Sequence, residues 1–249
     1  MDRVTPIGAL SLKPLRAIAL ICLLTGGAPV GAAPGAEEAA CVPRDLGFGR
    51  TASGWMPRAL SKLKRNTVYT LLQEEGRTVL RAAADRSASL YVARLKSPVA
   101  VPATLSWRWK TDALVPGADN RERKLEDAPL RVIVAFDGDV ATLPASEKGG
   151  LVNANLPYAV LMYIWSDHVD AGSVIRSTHT GRVRMLVVAS GASGLGSWQA
   201  VRRNLAEDYR RAFGAEPGRV LGVAVMTDTD NTGTQAVGEY ADIRFECGR

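Results

Sequence analysis

Asp228, Asp230, Asn231 and Glu239 crowd oxygen-bearing side chains into one short stretch, Met226–Phe245, with Gly233 among them. Carboxylate and amide oxygens this close together suit a hard cation or a hydroxyl-rich ligand. Counting from Asp228, acids fall at positions 1 and 3, Thr232 at 5, Gly233 at 6 and Glu239 at 12, close to an EF-hand calcium loop. Two features oppose that motif. Gln235 stands where an aliphatic residue belongs, and Val220–Met226 reads as a strand where the entering helix should be. Two readings stay open: Ca2+ held by a β-loop, or a hairpin turn in which Asp and Asn side chains bond the backbone and Gly233 supplies a positive φ. No other cofactor is indicated.

A second group of charges, Glu126 and Asp127, precedes a strand that carries Arg131. An ion pair is the ordinary expectation there. Paired carboxylates for glycoside cleavage would meet in space and leave no trace in spacing. Trp55 lies in an irregular Gly-rich stretch, which makes it the tryptophan freest to touch a ligand. The candidate ligand-binding residues are therefore Asp127, Arg131, Asp228, Asp230, Asn231 and Trp55. No catalytic residue can be named. His168 and His179 sit in loops, outside any H-x-x-x-H pair or nucleophile elbow. Gly191–Gly196 has the wrong spacing for a phosphate loop and no Lys follows it.

The elements that must position these groups read mostly as strands. Thr67–Gln73 and Thr78–Ala84 flank Glu74–Arg77, a hairpin signal. Ala88–Leu95, Thr104–Lys110, Leu130–Phe136, Tyr158–Trp165, Arg182–Ala189, Val220–Thr227 and Tyr240–Glu246 follow, separated by turn-forming clusters. Many short strands with few helices predict an antiparallel β-sandwich of jelly-roll type. One amphipathic helix is expected, capped by Ser197 and carrying Trp198, Val201, Leu205, Tyr209 and Ala212 on one face up to Gly214. Strand alternation puts Leu105, Trp107 and Trp109 on one face, which favours a core role over a sugar-stacking platform. Trp165 and Trp198 also read as core.

The first residues read as an address. Arg3, Lys13 and Arg16 precede the apolar run Ala17–Leu24, and Val30-Gly-Ala32 fits a cleavage site, so 1–32 is expected to be a secretory signal. The apolar run is too short to span a bilayer, and no integral membrane segment is expected in the mature chain. A linker over 33–46 would lead into one domain over 47–249. The destination is the periplasm or beyond. In such a compartment Cys41 and Cys247, at opposite ends of the mature chain, can form a disulfide. Net charge over the whole chain is +6 and spread along it, so no nucleic-acid partner is expected. Oligomeric state is not legible.

The segments Leu105–Lys110, Asp127–Arg131, Leu161–Ser166, Trp198 with Asp208–Gly214, and Met226–Gly233 occur in the order seen in the family catalogued as domain of unknown function 3047, which the chain resembles from about residue 45 to its end. The resemblance implies an exported bacterial protein and carries over no catalytic residue. Glu126-Asp127 stands where a pair of aspartates is expected, and 118–124 is a long polar insert. Three function classes remain open: a non-catalytic module binding carbohydrate or another cell-envelope glycan, a glycan hydrolase or lyase using acids such as Asp127, Asp228 or Asp230, and a structural envelope protein without a small ligand.

Overall fold

The computed structural model describes residues 43–49, 54–101, 103–148 and 156–247. The expected signal segment and Cys41 lie outside the described residues. The described residues fold into thirteen strands: β1 Arg44–Asp45, β2 Trp55–Ala59, β3 Val68–Glu74, β4 Arg77–Asp85, β5 Ser89–Val99, β6 Ala103–Lys110, β7 Ala128–Phe136, β8 Ala159–Ser166, β9 Val174–Arg176, β10 Val183–Ser190, β11 Gln199–Asn204, β12 Val220–Asp228 and β13 Gln235–Cys247. β1 falls within the stretch read as linker, so sheet structure begins earlier than 47. Among the described residues, helix is confined to the single turn α1, Ala145–Lys148, and to α2, Leu205–Phe213, apart from a 3-10 turn at Val140–Thr142.

Two sheets form the expected jelly-roll-like sandwich. One has the order β11-β6-β13-β4-β3, with β1 also on β13. The other runs β2-β5-β12-β7-β8-β10-β9. All neighbours are antiparallel except β8 and β10, a departure from the all-antiparallel expectation. β9 fills the space between them in sequence and pairs antiparallel on the far side of β10.

Alternation decides which residues face the gap between the sheets. Leu80, Leu105, Trp107, Trp109, Tyr240 and Phe245 meet Leu130, Val132, Val134, Phe136, Tyr163, Trp165, Val223 and Val225 there. Trp107 and Trp109 sit edge to face at 5.5 Å, almost fully buried. Their indole nitrogens have no hydrogen-bond partner. Burying roughly 200 Å² of ring stabilises by about 5 kcal/mol, more than the about 1–3 kcal/mol cost of one unmet donor. The pair is core, and the sugar-platform alternative fails. A second apolar layer, Ile133, Val160, Ala224 and Met226, lies on the other face of the β12 sheet, where Leu156 packs on it. Strands β7 and β12 are therefore buried on both faces and read as nearly continuous apolar runs.

Local chemistry sets the turns. Glu75 and Gly76, both at positive φ, make the two-residue link between β3 and β4, the geometry that matches strand twist. The helix differs from its sequence expectation. Residues 199–204 pair with β6 as edge strand β11, and α2 begins only after Asn204, whose side chain accepts from the Ala206 and Glu207 amides. Spacing at 198, 201 and 205 satisfies period 3.6, but Gln199, Val201 and Arg203 satisfy period 2 equally, and an available sheet edge decides. Gly214 closes α2 in the left-handed region as expected. Trp198 consequently leaves the core. It lies on the outer face of the β6 sheet, with Arg108 and Lys110 about 5.4 and 5.1 Å from its ring centre.

Candidate functional site

The acid-rich stretch joins two sheets. Strand β12 belongs to one and β13 to the other, so residues 229–234 cross between layers and no hairpin forms. A hairpin was the simpler expectation, because the segment is short and β-flanked. The pairing partners, β5 and β7 on one side and β4 and β6 on the other, are distant in sequence. Gly233 does take a positive φ of 69°, and its amide donates to Thr229 O at 3.0 Å.

Arg131 emerges from β7 on the face opposite Leu130 and Val132, beside the last residues of β12. Its Nε donates to Asp228 Oδ1 at 2.7 Å, and Nη2 donates to Asp228 Oδ2 at 3.1 Å and to Glu126 O at 2.8 Å. Met185 Sδ is 3.4 Å from Nη1, and Met162 Sδ 4.0 Å. Both charged side chains are almost fully buried. Burial pushes the Asp228 carboxyl up to about 7, and the neighbouring Asp127 charge adds to this against the pull of Arg131 and of the Ala128 amide. Burial also opposes the charge on Arg131, but Asp228 and Glu126 outweigh it and hold the guanidinium above its ordinary value. Acids outnumber cations here, so the surplus is met by a retained proton on a carboxyl rather than by loss of the arginine charge.

Asp127 serves the backbone. Its Oδ2 accepts from the Thr232 amide at 2.7 Å and its Oδ1 from the Asn231 amide at 3.3 Å. Asn120 Nδ2 donates to Asp127 O at 2.8 Å, and Ser166 Oγ donates to Asn120 Oδ1 at 2.7 Å. Asn231 spends its own amide on Arg123 O at 3.2 Å. Asp230 forms an ion pair with Lys64. Five of the six candidate ligand-binding residues thus converge: Asp127, Arg131, Asp228, Asp230 and Asn231. Trp55 does not join them. It stacks on Tyr91 at 5.8 Å, touches Phe48, and donates its Nε1 to Leu46 O at 2.6 Å, at the edge-strand rim of the intersheet core.

Carboxylate oxygens of Asp127, Asp228 and Asp230 lie within 4.8 Å of one another, the spacing a cation needs. Arg131 and Lys64 already supply two positive charges to them, and the Asp127 oxygens are taken up by backbone amides. This donor set holds the loop together from within and fits Ca2+ poorly.

Beside this cluster lies an open cleft of about 470 Å³, walled by Arg121, His168, Asp170, Ser173 and Arg176 over Val169 and Ile175. Asn120 connects the two, since its neighbour Arg121 lines the cleft while its own side chain holds Asp127 and Ser166. His168 stands exposed beside Asp167, with Nε2 3.3 Å from Oδ2. Sequence reading took His168 as a plain loop histidine. The run Ser166-Asp-His-Val-Asp170 after a buried strand was the available signal, but the partner walls at 121 and 173–176 come from distant segments. A third buried acid, Asp208, was missed: it accepts from Tyr163 Oη at 2.9 Å and pairs with Arg203, fastening α2 to the β8 sheet.

The model of a protein family of unknown function, DUF3047, matches residues 53–244. The chain belongs to that family. The DUF3047 match takes in β2 to β12 and most of β13, so the acid cluster and the cleft both lie inside it. No curated protein matches the chain. Among solved structures, this DUF3047 chain is similar to a family 11 carbohydrate-binding module of the cellulosomal cellulase Lic26A-Cel5E of Clostridium thermocellum, with 7% identity, 84% of this chain and 97% of that one covered, and a TM-score of 0.44. It is similar also to endoglucanase 3 of family GH12 from Trichoderma harzianum, with 10% identity, 85% and 99% coverage, and a TM-score of 0.45. The xyloglucanase domain of NopAA from Sinorhizobium fredii, in complex with cellobiose, follows at 9% identity, 85% and 99% coverage and a TM-score of 0.39. At such identities and scores, nothing about ligand or activity passes from those proteins to this one.

Proposed function

We propose that the protein is an exported, non-catalytic module that binds a carbohydrate or other cell-envelope glycan in the cleft beside the acid cluster. One observation carries the reading: Arg121, His168, Asp170, Ser173 and Arg176 surround an open groove with charged and hydroxyl groups over a small apolar floor. An extended hydroxyl-rich chain suits such a groove, since Arg, Asp and Ser side chains pair with vicinal hydroxyls and the floor takes the C–H face of a ring. The adjacent carboxylates act as scaffold, because their oxygens are committed to Arg131, Lys64 and backbone amides. Export rests on the leader-like residues 1–32, and no described helix is long and apolar enough to cross a membrane.

Affinity gel electrophoresis against a panel of envelope and plant polysaccharides tests the binding. Retardation by at least one polymer is expected, weakened roughly tenfold in Arg176→Ala or His168→Ala, as for loss of about 1.4 kcal/mol of contact. Migration unchanged by every polymer would remove the proposal. Mass analysis of protein recovered from culture should find a chain beginning at Ala33.

A second reading, cleavage of the same polymer, draws on Asp228, a buried acid held at about 7. Reducing-end release by wild-type protein but not by a folded Asp228→Asn variant would favour it, and its absence with retained binding leaves the module.

A further inference from the structure

Strand β3 closes one edge of its sheet. It pairs with β4 along its whole length and with no other strand among the described residues. Natural edges are blunted by charge, proline or a bulge. Val68–Gln73 has none of these: it reads Val-Tyr-Thr-Leu-Leu-Gln, with an unbroken register. Val68 is 63%, Leu71 45% and Leu72 39% exposed. Leu71 stands opposite the fully buried Leu80, so it is a core-facing leucine left half uncovered where the sheet stops. Val68, Thr70 and Leu72 carry the same deficit on the outer face.

We infer that β3 is a dimer interface, pairing antiparallel with β3 of a second copy across a twofold axis at Leu71. The strand has seven residues, and a register centred on its middle sets Leu71 against Leu71, Thr70 against Leu72 and Val68 against Glu74. Open backbone groups of the two strands meet each other, Leu71 meets its own copy on the core side, and Leu72 packs beside Thr70 on the outer face. Charge selects a second copy over an arbitrary strand. The approach to β3 is basic, with Lys62 and Arg65 besides the Lys64 that Asp230 holds, and its exit is acidic, with Glu75 and with Glu74, which Lys110 Nζ approaches at 3.6 Å. Antiparallel pairing brings the basic approach of each copy to the acidic turn of the other. Parallel addition would set like charges together. Arg65 touches Asp85 yet keeps most of its side chain in solvent, so it can serve both. The two copies form a closed isologous pair.

Sedimentation velocity across a concentration series tests this with the purified protein and Leu71→Lys. The wild type is expected at twice the monomer mass in the micromolar range. Leu71→Lys sets two ammonium groups face to face and should weaken association by at least about 100-fold, with an unchanged circular dichroism spectrum. Hydrogen exchange gives a second readout on the wild type alone, in which amides of 68–74 gain protection as concentration rises. A wild type that stays monomeric at about 100 µM, a dimer indifferent to Leu71→Lys, or exchange in β3 independent of concentration would overturn the inference.

Discussion

Replacing Arg131 by Met should cost stability in a way that grows with pH. Methionine suits the site sterically, because Met162 and Met185 already flank the guanidinium. What it removes is the partner of a buried carboxyl. The folded-state value of Asp228 is raised from near 4 to about 7, so in the wild type this group's stabilisation is complete below about 4 and lost as pH rises through 7. In Arg131→Met the carboxyl faces burial without compensation and holds its proton to higher pH still. The variant therefore forgoes the ionisation that the wild type makes above 7. The gap between the two widens by about 1.4 kcal/mol per pH unit. At pH 5 the variant should be less stable by about 1.5–3 kcal/mol, from lost charged hydrogen bonds to Glu126 O and Asp228. The deficit should be about 1.4 kcal/mol larger at pH 8 and about 2.7 kcal/mol larger at pH 9. Urea unfolding followed by tryptophan fluorescence at pH 5, 8 and 9 measures each gap, and subtracting the wild type cancels other titrations. A deficit that stays constant to within about 0.5 kcal/mol over this range would refute the placement of the proton on Asp228.

Asp127→Ala strips the acceptor from the Asn231 and Thr232 amides; a loss of about 1–3 kcal/mol is expected, with faster amide exchange confined to residues 228–234. Gly238→Ala should destabilise by about 1–3 kcal/mol in thermal melts, because a Cβ there would lie 2.5 Å from Pro129 O and from Thr227 Oγ1. A variant melting with the wild type would show that the sheets can part at this point. The register of β1 on β13, Arg44 opposite Phe245, brings the residues just after Cys41 alongside the strand that ends in Cys247. Non-reducing peptide mapping should find these cysteines joined, with reduction lowering stability by up to about 4–5 kcal/mol. Two titratable thiols in oxidised, folded protein would count against the bond.

Much of the fold was legible because β-sheet alternation is a local signal. Leu105-Ser-Trp-Arg-Trp-Lys110 announces its inner face residue by residue, and the buried strands β7, β8 and β12 announce themselves as apolar runs. Residues 198–204 were misread because two periods fit them, and only the presence of β6 as a neighbour distinguishes strand from helix. Asp127, Arg131, Asp228 and Asp230 were each legible as candidates, from charges set against strands, but their meeting in space was not. Their roles were not, because a carboxylate that binds backbone amides and one that binds a guanidinium look identical in sequence. The cleft was the least readable part. Its walls come from residues 121, 168–170 and 173–176, and nothing short of the β8–β10 pairing brings them together.

The crossover between β12 and β13 governs the order in which the chain can fold. Strand β13 is the middle strand of its sheet and β12 joins β5 to β7 in the other, so both sheets are completed only by residues 220–247, which follow every other described strand in the sequence. Before residues 220–247 appear, the chain can offer only fragments: β3 with β4, β6 with β11, β2 with β5, and the β7 to β10 group. None of these buries a full intersheet core. A chain built this way stays unfolded until residues 220–247 have emerged, and a truncation that removes β13 should yield no folded remnant.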